Sequence, residues 1–176
     1  MLMKVFQLFL KKENQIGKIN KMSSDELIKK SLESSKTIAM VGVSSVKKEV
    51  STNIKRRPSI IVMKYMQEFG YKVIPVNPFS AGERIHGEII VAKLSDVRIP
   101  IDIVDIFRPS KETPPIAEEA VKIGAKVFWL QYGIQNDEAK KIVESKNIVY
   151  ISNKCIKQEY QRLFLKISPV FPALKN

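Results

Sequence analysis

Thr37-Ile38-Ala39-Met40-Val41-Gly42-Val43-Ser44 is the stretch on which the fold turns, an apolar run that ends in a glycine and a serine. The run Thr37–Val43 is continuous rather than alternating, which is the pattern of a strand covered on both faces. Four runs of the same kind follow it: Tyr71–Val76, Ile101–Phe107, Ala125–Gln131 and Ile148–Ile151. Helical stretches lie between them. Ile60–Phe69 follows Pro58-Ser59 and stops at Gly70, Pro115–Ile123 stops at Gly124, and Asp137–Lys146 has Asn136 ahead of it. Asp25–Ser34, with Ser24 as its cap, precedes the first strand, and Cys155–Leu165 closes the series. Strand and helix in alternation predict a parallel sheet with right-handed crossovers. Glu88–Ala92 reads as a short extra edge strand. The expected fold is a three-layer α/β sandwich on a mostly parallel sheet of five or six strands.

Sheets of this kind bind ligands beyond the carboxyl ends of their strands, where the strand order reverses. With the first strand central, that crevice lies between Gly42-Val43-Ser44 and the end of the third strand, Phe107-Arg108. A glycine there lets backbone N–H groups approach a phosphate, and a serine adds a hydroxyl; an ordinary strand-to-helix turn is the competing reading. The dinucleotide fingerprint G-x-G-x-x-G is missing, because no glycine follows Gly42 before Gly70. The second strand ends in Asn77-Pro78, with no acid to hold a ribose 2′-hydroxyl. A standard nicotinamide site is therefore disfavoured. The connection Val46–Ser59 is long and carries Lys47, Lys48, Lys55, Arg56 and Arg57 ahead of a helix start at Ser59, which suits an anion site for a polyphosphate. Asn77 reads equally as a turn cap or a ligand contact, Trp129 as core, and Gln131 as a polar group near the crevice.

The chain has 176 residues, a net charge of +12 and 44% hydrophobic residues, enough to build a core and to exclude a disordered chain. Charge is concentrated in two blocks. Residues 1–21 hold five lysines against one glutamate, and residues 46–59 five cations against one. The first block is expected to be a basic extension outside the core, with the domain over 22–165 and a tail over 166–176. No apolar run exceeds four residues, so no bilayer span is expected, and the start lacks the marks of a secretory signal. A cytoplasmic protein is expected. One cysteine, Cys155, and one histidine, His86, exclude an intrachain disulfide and a histidine or multi-cysteine metal cage. No catalytic constellation is visible. His86 reads as a surface residue and Cys155 as an unreactive buried thiol, while Asp102 and Asp105, three apart on one strand, fall on opposite faces.

Taken together, Ile38–Val43 with Ser44, Arg57-Pro58-Ser59, the run from Tyr71 to Pro78, Gly87, the run from Ile101 to Arg108, the run from Trp129 to Ile134, and Asn153-Lys154-Cys155 stand in a familiar order. The chain resembles the single-domain CoA-binding proteins, which are similar to the CoA-binding domain of the succinyl-CoA synthetase α-subunit. The resemblance covers residues 25–164 and implies a Rossmann-like fold that holds the nucleotide end of CoA at the crevice. It implies that Gly42, Val43, Ser44, Arg57 and Ser59 lie near the phosphates and that Asn77 and Pro78 line the adenosine side. Phe107 and Arg108 would then face the pantetheine or diphosphate, with Gln131 and Gly133 completing the mouth. The stretch Val46–Arg56 is longer and more basic than the family pattern. The ligase reaction does not carry over, since this chain has no matching histidine motif.

The reading that follows is a CoA or acyl-CoA binding module, noncatalytic or regulatory. The competing reading is a small nucleotide-dependent transferase or oxidoreductase, alone or with a partner chain that supplies catalytic groups. A third reading, nonspecific nucleic-acid binding by the basic segments, lacks both a recognisable motif and interleaved aromatics, and no specific nucleic-acid partner is expected.

Overall fold

A computed structural model describes residues 22–44 and 57–167. The first helix, α1 (Ser24–Glu33), belongs to a compact unit that ends at Ser34, and a second unit begins at Ser35. Its cap is Ser23, one residue ahead of the expected Ser24. The Ser23 side chain accepts from the Glu26 N–H while the Glu26 carboxylate reaches back to the Ser23 N–H. The Ser23 N–H, and after it the Ser23 hydroxyl, donate to the Glu26 carboxyl and hold it below its ordinary range.

The second unit carries β1 (Thr37–Val41), α2 (Pro58–Glu68), β2 (Lys72–Val76), β3 (Arg84–Ile85), β4 (Glu88–Ile89) and β5 (Ile103–Ile106). It continues through α3 (Thr113–Lys122), β6 (Val127–Leu130), α4 (Asp137–Glu144), β7 (Val149–Ile151) and α5 (Ile156–Phe164). Five strands form one sheet in the order β2-β1-β5-β6-β7, every pairing parallel. The fold is Rossmann-like, as expected. Glu88–Ala92 does not form one edge strand. Its first two residues pair back on Arg84-Ile85 in an antiparallel hairpin, and Val91 alone bridges Val76 in parallel. Val91 donates to Pro75 O at 3.0 Å and accepts from Asn77 N at 2.9 Å, a sixth position in the sheet that is one residue long.

Alternation along each strand sorts the core into two layers. One face presents Ala39, Val41, Ile74, Val76, Val104, Ile106, Phe128 and Leu130, packed with Ala117 and Ala120 of α3 and Ala139 and Val143 of α4. The small alanines let those two helices approach the sheet closely. The opposite face presents Ile38, Met40, Val73, Ile103, Asp105, Val127 and Trp129, all buried. Right-handed crossovers that leave β1 in one direction and β5 in the other must put α2 and α3 on opposite sides of the sheet. The buried Val62, Met63 and Met66 of α2 belong to that second layer.

At the amino edge Asp102, just ahead of β5, ties the start of β1 to β5 and β6. It accepts from Lys36 N at 2.8 Å and Thr37 N at 3.1 Å and pairs with Lys126 Nζ at 2.6 Å. Burial pushes the Asp102 carboxyl up, but the bonds from Lys126, Lys36 and Thr37 outweigh it and hold the group at about 2.

Candidate functional site

Because all five strands run the same way, the segments that follow them gather on one edge of the sheet. These are Gly42-Val43-Ser44 after β1, Asn77-Pro78 after β2, Phe107-Arg108 after β5, Gln131-Tyr132-Gly133 after β6 and Asn153-Lys154 after β7. The chain leaves β1 for β2 on one side and returns to β5 on the other. The order reverses at β1 and β5, where the sequence predicts it.

Gly42 sits at φ +90, and a Cβ placed on it would stand 2.7 Å from Arg108 Cδ and 2.8 Å from Phe107 O. Backbone conformation and space both require glycine here. Gly42 N donates to Val76 O at 2.9 Å and Phe107 N to Val41 O at 2.8 Å, so the ends of β1, β2 and β5 are stitched together at this residue. The next two residues are held by side chains. Val43 is buried, and its carbonyl accepts from Asn77 Nδ2 at 2.7 Å. Ser44 N donates to Ser59 Oγ at 3.1 Å.

Ser59 does not cap its helix. Arg57 occupies the cap position with Pro58 next to it, and Ser59 is 2% exposed one residue further in. Its hydroxyl is spent on shaping the β1 turn. Lys47, Lys48, Lys55 and Arg56 lie outside the described residues. Asn77 does two jobs at once, since its Oδ1 also accepts from Phe79 N at 2.9 Å and so caps the one-turn helix Pro78–Ser80.

Across the crevice, Arg108 lays its stem over Gly42 and turns its guanidinium to Glu112. Both Nε, at 2.8 Å, and Nη2 donate to the same carboxylate oxygen. An anion arriving here meets an arginine already oriented by a neighbour. Gln131 is 4% exposed and aims its amide inward, donating to Asp105 Oδ1 at 2.7 Å. It therefore underlies the mouth instead of lining it. Gly133, at φ +79, donates to Asn153 Oδ1 at 2.8 Å, which joins the turns after β6 and β7. Trp129 is core, as expected, with its indole N–H on Lys154 O at 2.7 Å.

Asp105 is the residue that sequence reasoning passed over. It is fully buried, and its Oδ2 has no hydrogen-bond partner among the described residues. Burial pushes its carboxyl up to about 7, against the smaller opposing pull of the Gln131 and Ile106 donors. Burial also raises the Cys155 thiol, and the nearby Asp105 carboxyl adds to that rise against the Gln158 N–H. Such a thiol is a poor nucleophile at neutral pH. His86 stands apart on the β3–β4 turn with Nε2 3.2 Å from Ile60 O. Among the described residues no group of three or more His, Cys, Asp and Glu is placed to hold a metal ion.

A sequence profile described as "CoA binding domain" matches residues 36–161. The chain belongs to the CoA-binding domain family. The matched residues run from the threshold of β1 into α5 and so include all five segments on the carboxyl edge. The chain is 41% identical over 130 residues to "Uncharacterized protein YneT" of Bacillus subtilis (strain 168), covering 74% of this chain and 89% of that one. Among solved structures it resembles cell-free ID.343 from Thermus thermophilus with a TM-score of 0.72 and 34% identity, over 81% of this chain and all of that one. It also resembles a hypothetical protein from Pyrococcus horikoshii OT3 with a TM-score of 0.70 and 36% identity, over 80% of this chain and 92% of that one. Among the described residues of this CoA-binding domain, no helix is long and apolar enough to cross a membrane.

Proposed function

We propose that the chain binds CoA or an acyl-CoA in the crevice between the ends of β1 and β5, as a noncatalytic, regulatory module of the cytoplasm. The observation that carries this reading is the convergence of the Gly42 turn, the Asn77 turn and Arg108 where the strand order reverses, in a chain of the CoA-binding domain family. Sheets of this kind bind ligands at that reversal, and CoA would bring three phosphates to the Arg108 guanidinium beside it.

In this reading Gly42, Val43 and Ser44 present the turn, Ser59 fixes its shape, and Arg57 grips a phosphate. Asn77 and Pro78 flank the adenosine, and Phe107 and Arg108 face the diphosphate or the pantetheine. Gln131 and Gly133 support the far wall from below. Binding without turnover is supported by the two groups best suited to chemistry. The Cys155 thiol is raised by burial, and the His86 imidazole is engaged with Ile60 O. The same reading assigns residues 1–21 to an extension that takes no part in binding.

Mass spectrometry of the small molecules carried through native purification tests it, with calorimetric titration of the full chain beside it. Recovery of CoA, and saturable binding of added CoA, is the expected result. Recovery of NAD or a flavin, or turnover of an acyl-CoA by the pure protein, overturns it.

A further inference from the structure

Two sets of aromatics stand out among the described residues. Phe69, Tyr65, Tyr71, Tyr160 and Phe164 pack on one another, with Phe69 4.7 Å from both Tyr65 and Tyr160. Phe79 and Tyr132 enter none of these ring contacts, and they are 84% and 70% exposed.

Exposed rings on floppy loops are commonplace, but these two stand on pinned backbone. Phe79 N donates to Asn77 Oδ1, and Ser80 N to Asn77 O at 3.2 Å, while Ser80 itself is buried. Tyr132 lies between the buried Gln131 and Gly133, whose N–H is held by Asn153, and Ile134 N closes the turn on Gln131 O at 2.9 Å. Each ring is thus held out to solvent by an asparagine-braced turn. Both turns are on the carboxyl edge, after β2 and after β6, with β1 and β5 between them. Three strand spacings separate them, about 14 Å. The phosphate-directed residues Gly42, Arg57 and Arg108 belong to the middle strands or their connections, so the rings flank them on either side.

We propose that Phe79 and Tyr132 are the two ends of one ligand platform, Phe79 stacking on the purine base and Tyr132 bearing on the pantetheine arm of a CoA-type ligand. The proposal rests on the CoA-binding reading and adds residues that it does not use. A bare phenyl face suits a purine, which stacks without needing a hydrogen bond. A phenol offers a face and a hydroxyl, which suits an arm of methylenes interrupted by amides.

Calorimetric titration of the full chain and its Phe79→Ala and Tyr132→Ala variants tests it with three probes: CoA, adenosine 3′,5′-bisphosphate and 4′-phosphopantetheine. Phe79→Ala is expected to weaken CoA and the bisphosphate at least fivefold and leave phosphopantetheine unchanged. Tyr132→Ala is expected to do the reverse with the two fragments. Phe79→Trp supplies a second readout, since Trp129 is fully buried and the new indole alone would respond, its emission quenched on adding the bisphosphate. Wild-type protein that binds no CoA defeats the underlying reading and this proposal with it. Wild-type protein that binds CoA, with both alanine variants equal to it, overturns the platform and leaves that reading standing. A swapped fragment pattern overturns the assignment of ends. Concentration-dependent self-association of the wild type, lost in Phe79→Ala without a change in affinity, overturns the platform in favour of a contact between copies.

Discussion

Gln131 donates its amide to Asp105 at 2.7 Å, and the other oxygen of that carboxyl, in a layer with Ile103, Met40 and Trp129, has no partner among the described residues. A carboxylate in that setting is costly, so the native state prefers the protonated acid up to about pH 7, whereas an exposed aspartate releases its proton near 3.8. Between those values the native chain holds a proton that the unfolded chain has lost. Stability is therefore full below about pH 4 on this account, declines as pH rises, and is lowest above 7. Asp105→Asn keeps the acceptor for Gln131 and cannot ionise. Its melting temperature should exceed the wild-type value by a margin that grows from pH 5 to pH 8. A constant margin in thermal unfolding at the two pH values would show that Asp105 does not titrate there.

Asp102 has the opposite sign. Its native carboxyl releases its proton at about 2 against an ordinary 3.8, so it stabilises the fold above pH 4 and loses that contribution as pH falls through 2. Asp102→Asn should cost about 2 kcal/mol at pH 7 and almost nothing at pH 2. Urea denaturation at both pH values measures the difference.

Gly42→Ala should combine backbone strain with a collision against Phe107 O. Gly82, at φ +86 with nothing within 4 Å of an added Cβ, isolates the strain alone. Gly82→Ala is expected to cost about 1 kcal/mol, and Gly42→Ala about 3 kcal/mol with loss of CoA binding. Guanidinium denaturation of the pair, with calorimetry, separates the contact from the conformation.

Arg57→Ala should weaken CoA binding about tenfold, the equivalent of about 1.4 kcal/mol, because hydrogen bonds to a phosphate exceed what a screened surface charge provides. Lys47→Ala should cost much less and mainly flatten the salt dependence. Titrations with CoA and with dephospho-CoA decide which phosphate Arg57 serves, and equal affinities throughout would leave the basic stretch without a part in binding.

Deleting residues 1–21 should leave both the melting temperature and the affinity for CoA nearly unchanged. A large drop in either would make that extension integral to the domain.

What the sequence displays is what short-range chemistry decides. Apolar runs mark the five parallel strands to within two or three residues, and Asn136 is the cap it resembles. The reversal of strand order at Gly42 and Phe107 follows once the first strand is taken as central, which the order β2-β1-β5-β6-β7 bears out. The failures are long-range. Ser59 resembles a cap by position, yet its partner is Ser44, across a connection whose path no local pattern reveals. Gln131 reads as a mouth residue until its inward partner Asp105 is known, 26 positions away. Asp105 did leave a signal, being a lone acid inside the apolar run Ile103-Val104-Asp105-Ile106, where a solvated face would show alternation. Ser23 and Ser24 are both good caps, and Glu26, at the spacing of a capping box, selects the first.

The one-residue bridge at Val91 also bears on solubility. An outermost strand whose N–H and C=O groups are unclaimed is a template on which another chain can grow a cross-molecule sheet. On the outer side of β2, Pro75 has no N–H to offer, and its carbonyl is taken by Val91 N. The Asn77 N–H beyond it is taken by Val91 O. A single well-placed valine, together with a proline that costs the sheet nothing at that position, closes the carboxyl half of the β2 edge to fibrillar addition.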